Sequence, residues 1–290
     1  MSWVSHTLEL IKIRILFAAN LTILLGYMFY TNLNQWRYVD IFWLCLGCSF
    51  VFAAAAALNH VLEIKTDSLM DRTKNRPLPQ KKIKKEYVIV WIIVGIVVGS
   101  LILFYKTNNL VLISALATFF LYDFVYTPLK KISHINTFVG AIPGAIPVFC
   151  GWFLVYNSVN LPIIIVFLIL YFWQLPHFYA IAWMNKDSYK VANLKMISFN
   201  DTTGKKTVTF LIWTSLIFII LTYLPFILKF FHIVYIIGVS CLHVFLIRTI
   251  ISFYKQRSYI NAKKILIASV MYPQAILIFV IVDKLLSSYS

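Results

Sequence analysis

Acidic residues are scarce in this chain, with ten Asp and Glu among 290 residues against 26 Lys and Arg. Charged residues of both signs make up only 12%, about half the share of a soluble domain. Hydrophobic residues make up 61%, and the mean hydropathy is +0.83. These values exclude a soluble enzyme, a disordered tail and a water-facing nucleic-acid module, because a soluble fold of this length cannot hide so much apolar surface. Cysteine is equally sparse. Cys45 and Cys48 form a C-x-x-C pair inside an apolar run with no partner residues nearby, and Cys150 and Cys241 are isolated. Cys45 and Cys48 read as two small packing residues and not as a redox or metal centre. No linker divides the chain, so residues 1–290 read as one transmembrane domain. Neither a cleavable signal peptide nor a Ser/Arg-rich transit peptide is evident at the start.

What is abundant is apolar sequence in bilayer-length runs. The predicted spans are 9–30, 39–62, 87–105, 109–126, 136–156, 161–184, 207–228, 231–253 and 265–284. The fold class is therefore an all-α polytopic membrane protein with nine transmembrane helices. The net charge of +16 tests the count. Alternating the spans places 22 of the 26 basic residues on one side, and only Arg37, Lys106, Lys229 and Lys284 on the other. The positive-inside rule then predicts a cytoplasmic N-terminus and a C-terminus outside.

The few acids carry the chemistry. Asn59, Glu63, Asp67 and Asp71 recur every four residues at the end of the second span. On a helix this spacing keeps Asn59, Glu63 and Asp67 on one face for two turns. Carboxylates gather against their mutual repulsion when a cation joins them, most simply a divalent one. Arg72, Lys74 and Arg76 follow at once, before Pro77 and Pro79 are expected to stop the helix. Acids followed by bases suit a Mg²⁺-bridged polyanion, with arginine forks taking the remaining phosphate charge. A solvated helix end with ion pairs is the plainer alternative, but it would not need the register to reach back into the apolar span at Asn59.

Other helix ends on the same side should converge there. The fourth span ends in Tyr126-Thr-Pro-Leu-Lys130. There Lys130 can neutralise diphosphate and Tyr126 can hydrogen-bond a leaving oxygen. The sixth ends in Trp173-Gln174-Leu-Pro176-His177-Phe178, followed by Asp187, Tyr189 and Lys190. His177 is an ionisable group inside an apolar run, able to ligate or orient iron, to act as a base, or to pack at a kink. His232 and His243, eleven residues apart, could share a helix face. Gly140, Pro143, Gly144 and Pro147 predict close packing and a bend in the fifth helix.

The run N-x-x-x-E-x-x-x-D followed by M-D-R-T-K-N-R-P-L-P resembles the first signature of the UbiA superfamily of intramembrane prenyltransferases. Y-x-x-x-K at 126–130 is similar to a second element of that family. W-Q-x-P-H-F, then D-x-Y-x-x-A-x-x-x-M, resembles the branch that farnesylates protohaem. Two departures stand out: Glu63 replaces the usual Asp, and Asn193 replaces a Gly. The resemblance implies Mg²⁺-dependent transfer of a farnesyl group from farnesyl diphosphate to a vinyl group of haem B, a substrate and not a cofactor here, giving haem O and diphosphate.

In that reading Asn59, Glu63, Asp67 and Asp71 hold the metal. Arg72, Lys74, Arg76 and Lys130 hold diphosphate. Gln174, His177, Asp187, Tyr189 and Lys190 bound the acceptor side, and Asp67, Tyr126, Lys130 and His177 are the candidate catalytic set. The resemblance also implies a bacterial cytoplasmic membrane, a site facing the cytoplasm, and hand-over of product to a haem A synthase or to cytochrome oxidase assembly. Transfer to an aromatic acid in quinone synthesis is the alternative within the class. A transporter of an anionic lipid or metabolite is the alternative outside it.

Overall fold

The computed structural model describes residues 3–29, 31 and 36–287, and these are helical almost throughout. Two helices open the chain, α1 (Trp3–Leu10) and α2 (Ile13–Met28). Next come α3 (Tyr38–Leu62), α4 (Ile64–Leu69), α5 (Lys85–Lys106) and α6 (Asn109–Phe120). The sixth runs on through a single π-helical turn, Leu121–Tyr126, into α7 (Thr127–Leu129). After these lie α8 (Asn136–Ala145), α9 (Pro147–Phe153), α10 (Leu161–Met184) and α11 (Lys186–Val191). The chain closes with α12 (Lys205–Ile227), α13 (Ile233–Lys255) and α14 (Tyr259–Ser287).

Among the described residues, eight helical segments are long and apolar enough to cross a membrane, and α2 is a shorter apolar helix. The first predicted span, 9–30, departs from expectation. Lys12 takes a left-handed backbone (φ 49°) that separates α1 from α2, and its predicted end at residue 30 lies outside the described residues. The predicted bend in 136–156 falls between α8 and α9, where Pro147 has no N–H to continue the ladder. Dozens of large apolar side chains face outward, Ile93, Val97 and Phe104 among them, as expected for a surface that meets lipid instead of water.

Small residues set the helix spacing. A Cβ on Gly151 of α9 would fall on the carbonyl oxygen of Ile23, and one on Gly26 of α2 would fall on that of Val148. These two glycines bring the α2 and α9 backbones into direct contact. Gly151→Ala should therefore cost about 1–3 kcal/mol or more, because a backbone cannot step aside as a side chain can. A drop in thermal unfolding temperature in detergent, with a smaller drop for Gly238→Ala (whose neighbour is the Phe279 ring), would be the readout.

Hydrogen bonds tie alternate helix ends together. At one end, Lys12 meets Asn59 and Tyr122, Lys130 meets Glu63, and the Trp183 indole donates to the Arg257 carbonyl. At the other, Asn108 reaches the Phe153 carbonyl, and Asp283 accepts from the His232 and Tyr235 N–H groups. The basic-rich loops thus share one end of the bundle. A small second core, containing Leu10, Ala54, Ala57, Leu78, Val88 and Ile92, seals α1 and the 70–83 loop onto α3 and α5.

Candidate active site

The acid register holds for three of its four members. Asn59 lies in the last turn of α3, Glu63 sits at the break between α3 and α4, and Asp67 is in α4. All three are buried. The expected continuation to Asp71 fails because Met70 turns to an extended backbone (ψ 128°) and ends the helix before Pro77 is reached. Asp71 swings out to 86% exposure and pairs with Lys74 at 2.6 Å. Arg72 is exposed as well.

The two buried acids of this register, Glu63 and Asp67, are each met by a cation from elsewhere in the chain. Arg76 donates to Asp67 Oδ2 at 2.7 Å. It is brought back by the loop that Leu78 anchors in the second core, and Thr73 Oγ1 closes that loop on the Asp67 carbonyl at 2.9 Å. Lys130 Nζ sits 2.9 Å from Glu63 Oε1 and 4.5 Å from the centre of the Tyr126 ring. Lys12 Nζ donates to Asn59 Oδ1 at 2.6 Å and to the Tyr122 hydroxyl at 3.1 Å. The Asn59 amide then donates to Thr127 Oγ1 at 2.9 Å. Four separate parts of the chain therefore meet at one buried cluster of oxygens and amines.

The electrostatics follow from this pairing. Burial opposes ionisation of Glu63, but Lys130, with Lys12 and Arg76 behind it, outweighs burial and holds the carboxyl below its usual range. Burial likewise opposes the charge on Lys130, but the Tyr126 hydroxyl and Glu63 overcome it and raise its pKa. At Asp71 the Lys74 ammonium, through a hydrogen bond and its charge, lowers the carboxyl.

The second half of the chain contributes unevenly. Tyr189 of α11 is buried, and its phenol is pushed up by burial while Arg72 opposes. It is close enough to Lys130 and Glu63 to feel their charge. Asp187 and Lys190, on the same short helix, are exposed and stand apart from the cluster. Gln174 is buried and donates to the Ala141 and Leu170 carbonyls. A Cβ at Gly144 would land on its Oε1, and one at Gly140 would land on the Tyr126 ring. The small residues of α8 thus receive Gln174 and Tyr126, and Gln174 serves helix packing. His177 is held through Nδ1 by Ser269 Oγ of α14 at 2.9 Å, with its ring tilted over Trp173.

Asn193, where the resembled branch has Gly, adopts φ 51°. That left-handed position favours Gly and tolerates Asn, so the departure keeps the turn. The turn returns the chain to the site: Lys195 N–H donates to the Lys130 carbonyl at 2.6 Å. His232 and His243 do not share a helix face. His232 precedes α13 and contacts Asp283, whereas His243 is buried against Thr222 Oγ1 at 2.9 Å.

Two residues escaped the sequence reading. Lys12 reads there as a topology anchor, yet it enters the cluster. Asp123 of the π-helical turn is 0% exposed, and neither carboxylate oxygen has a hydrogen-bond partner. The available signal was the same for both: an ionisable residue within a predicted apolar span.

The oxygen donors suit a hard cation such as Mg²⁺. Asp67 Oδ1 is buried without a partner, and Lys130, Arg76 and Lys12 occupy the positions where positive charge is wanted. Among the described residues, no three His, Cys, Asp or Glu side chains are yet close enough to hold a metal. Asn59, Glu63 and Asp67 fit the group, provided the amines withdraw when it arrives.

Comparison with known proteins points the same way. The model of the UbiA prenyltransferase family matches residues 19–270. Protoheme IX farnesyltransferase of Christiangramia forsetii is 30% identical over 97% of this chain and 94% of its own length. That of Flavobacterium johnsoniae is 34% identical over 84% of this chain and 82% of its own. The mitochondrial protoheme IX farnesyltransferase of Arabidopsis thaliana is 34% identical over 85% of this chain, which spans only 57% of that protein. Among solved structures, a digeranylgeranylglyceryl phosphate synthase superposes with a TM-score of 0.78 at 21% identity, over 98% of this chain and 99% of that one. A UbiA homologue from Archaeoglobus fulgidus bound to GPP and Mg²⁺ gives a TM-score of 0.72 at 14% identity, over 95% and 99%.

Proposed function

This chain is an integral membrane protein of the UbiA prenyltransferase family, and from that premise we propose that it transfers a farnesyl group from farnesyl diphosphate to a vinyl group of protohaem IX, giving haem O. The observation that carries the reading is the buried set Asn59, Glu63 and Asp67, each met by a basic side chain at the loop-rich end of an apolar bundle. The relatives named above supply the acceptor and the prenyl length. We further propose that α2 completes nine spans, that the N-terminus is cytoplasmic, and that the site opens toward the cytoplasm of a bacterial inner membrane.

In this reading Glu63 and Asp67, with Asn59, hold Mg²⁺, which neutralises the diphosphate and favours its departure. Lys130, Arg76 and Lys12 release their carboxylate and amide partners and bind the phosphate oxygens. They are already half-buried and close by, so little reorganisation precedes the reaction. The Tyr126 ring, seated on Gly140, fixes the direction of the Lys130 amine. His177, with Nδ1 committed to Ser269, presents Nε2 to haem. Asp71, Lys74, Asp187 and Lys190 stand outside this machinery.

Lys12→Ala should raise the KM for farnesyl diphosphate by about tenfold or more, the worth of one charge-assisted hydrogen bond, while haem binding is unchanged. Release of inorganic diphosphate by the purified protein tests the whole reading. It should require farnesyl diphosphate, haem B and Mg²⁺ together and stop with EDTA. Release that ignores haem, or uptake of anions into vesicles without release, would overturn it.

A further inference from the structure

Asp123 is a buried ionisable group that the proposed reaction has not yet used. It lies in the π-helical turn Leu121–Tyr126, where the wider ring of the backbone re-aims side chains relative to an α-helix. The residues on either side of it are fixed to the site. Tyr122 receives the Lys12 amine, and Thr127 receives the Asn59 amide and donates to the Tyr122 carbonyl. Lys12, Lys130 and Glu63 all lie within electrostatic reach of its carboxyl.

Its state is unusual among the ten acids of the chain. Glu63 and Asp67 face cations. Asp40 and Asp71 form surface ion pairs. Asp201 and Asp283 cap backbone N–H groups, while Glu9, Glu86 and Asp187 are exposed. Among the described residues, only Asp123 is a fully buried acid with both oxygens unpartnered. An isolated carboxylate in such a place is costly unless something it binds completes the site.

We propose that Asp123 is the proton acceptor of the prenyl transfer, an assignment that rests on the haem-farnesylation reading above. In that reaction the C1–oxygen bond of farnesyl diphosphate breaks, and its electron pair leaves with diphosphate. A vinyl carbon bonds to C1 and leaves a cation on its neighbour. Water adds to that carbon and must lose a proton. Asp123 takes that proton and passes it to the departing diphosphate, which restores the carboxylate. Glu63 and Asp67 are unsuited to the task because the metal they would hold takes their lone pairs.

The test uses the full-length protein in detergent with haem B, farnesyl diphosphate and Mg²⁺. Asp123→Asn should lower kcat by about a hundredfold or more, the usual contribution of a positioned base. Its Kd for inorganic diphosphate with Mg²⁺, measured by titration calorimetry, should stay within about threefold of wild type. The residual product should be lighter by one water, because the cation loses a carbon-bound proton to the departing diphosphate instead of being hydrated. Its melting temperature should equal or exceed that of wild type, because an unpartnered carboxyl is gone. Asp123→Glu should recover part of kcat and the hydroxylated product. Unchanged kcat with fully hydroxylated product in Asp123→Asn would overturn the assignment. So would a loss of diphosphate affinity with no change in product. A wild-type protein that alkylates no haem overturns the underlying reading, and the proposal with it.

Discussion

Asp67→Asn should lower kcat/KM by about 10²–10³-fold or more, the range for removing a preorganised charged contact to a leaving group. The side chain is 1% exposed, with Oδ2 on Arg76 and Oδ1 unpaired. Asparagine keeps the shape, but its amide nitrogen repels a cation where a carboxylate oxygen attracts one. The Arg76 side chain is 19% exposed, so water can partly replace its lost partner and the fold should stand. Membrane insertion and melting temperature near wild type, with no diphosphate release, are the expected pair of results. An active Asp67→Asn enzyme would remove the metal assignment.

The second large effect concerns Lys130. In Lys130→Met, Glu63 is left buried beside an apolar side chain, with only the more distant Lys12 and Arg76 charges acting on it. Breaking a buried pair in this way costs about 3–5 kcal/mol at neutral pH. Removing both charges, as in Glu63→Gln with Lys130→Met, should return most of that stability because no unpaired charge remains. Activity should stay lost in Lys130→Met, in Glu63→Gln alone and in the double variant, because each partner is needed with substrate bound. The pH dependence has two limbs. Glu63 is lowered in the fold, so its contribution is present above its unfolded pKa and is lost as pH falls through the folded value. Lys130 is raised, so its contribution is full below its unfolded pKa and is lost as pH rises through the folded value. Melting curves of the four proteins across pH separate the pair from the rest of the bundle.

Much of this was readable from the residues. The apolar runs foretold the helices because bilayer length and side-chain hydropathy leave few alternatives. The four-residue register foretold that Asn59, Glu63 and Asp67 converge, and Tyr126 and Lys130 fall beside them as their span predicted. The register misled at Asp71, because a periodic pattern does not reveal where a backbone turns, and Met70 ends the helix about two turns before Pro77. Asp187 and Lys190 lie near Tyr189 in sequence, but α11 buries only the face that carries the tyrosine. Gln174 is a polar residue in an apolar helix whose partners are carbonyls of α8 and of its own helix. Such partners depend on tertiary packing and leave no mark in the chain. Lys12 was hidden by its company, one basic residue among many that anchor topology, until a left-handed break aimed it at Asn59. Asp123 was hidden by its isolation, because it belongs to no motif.

The most direct measurement is the mass of the product formed when the purified protein is given haem B, farnesyl diphosphate and Mg²⁺. A haem carrying one farnesyl group and one added water, formed in equal amount with diphosphate, is expected. Unaltered haem, with 4-hydroxybenzoate prenylated in its place, would contradict the assignment of the acceptor.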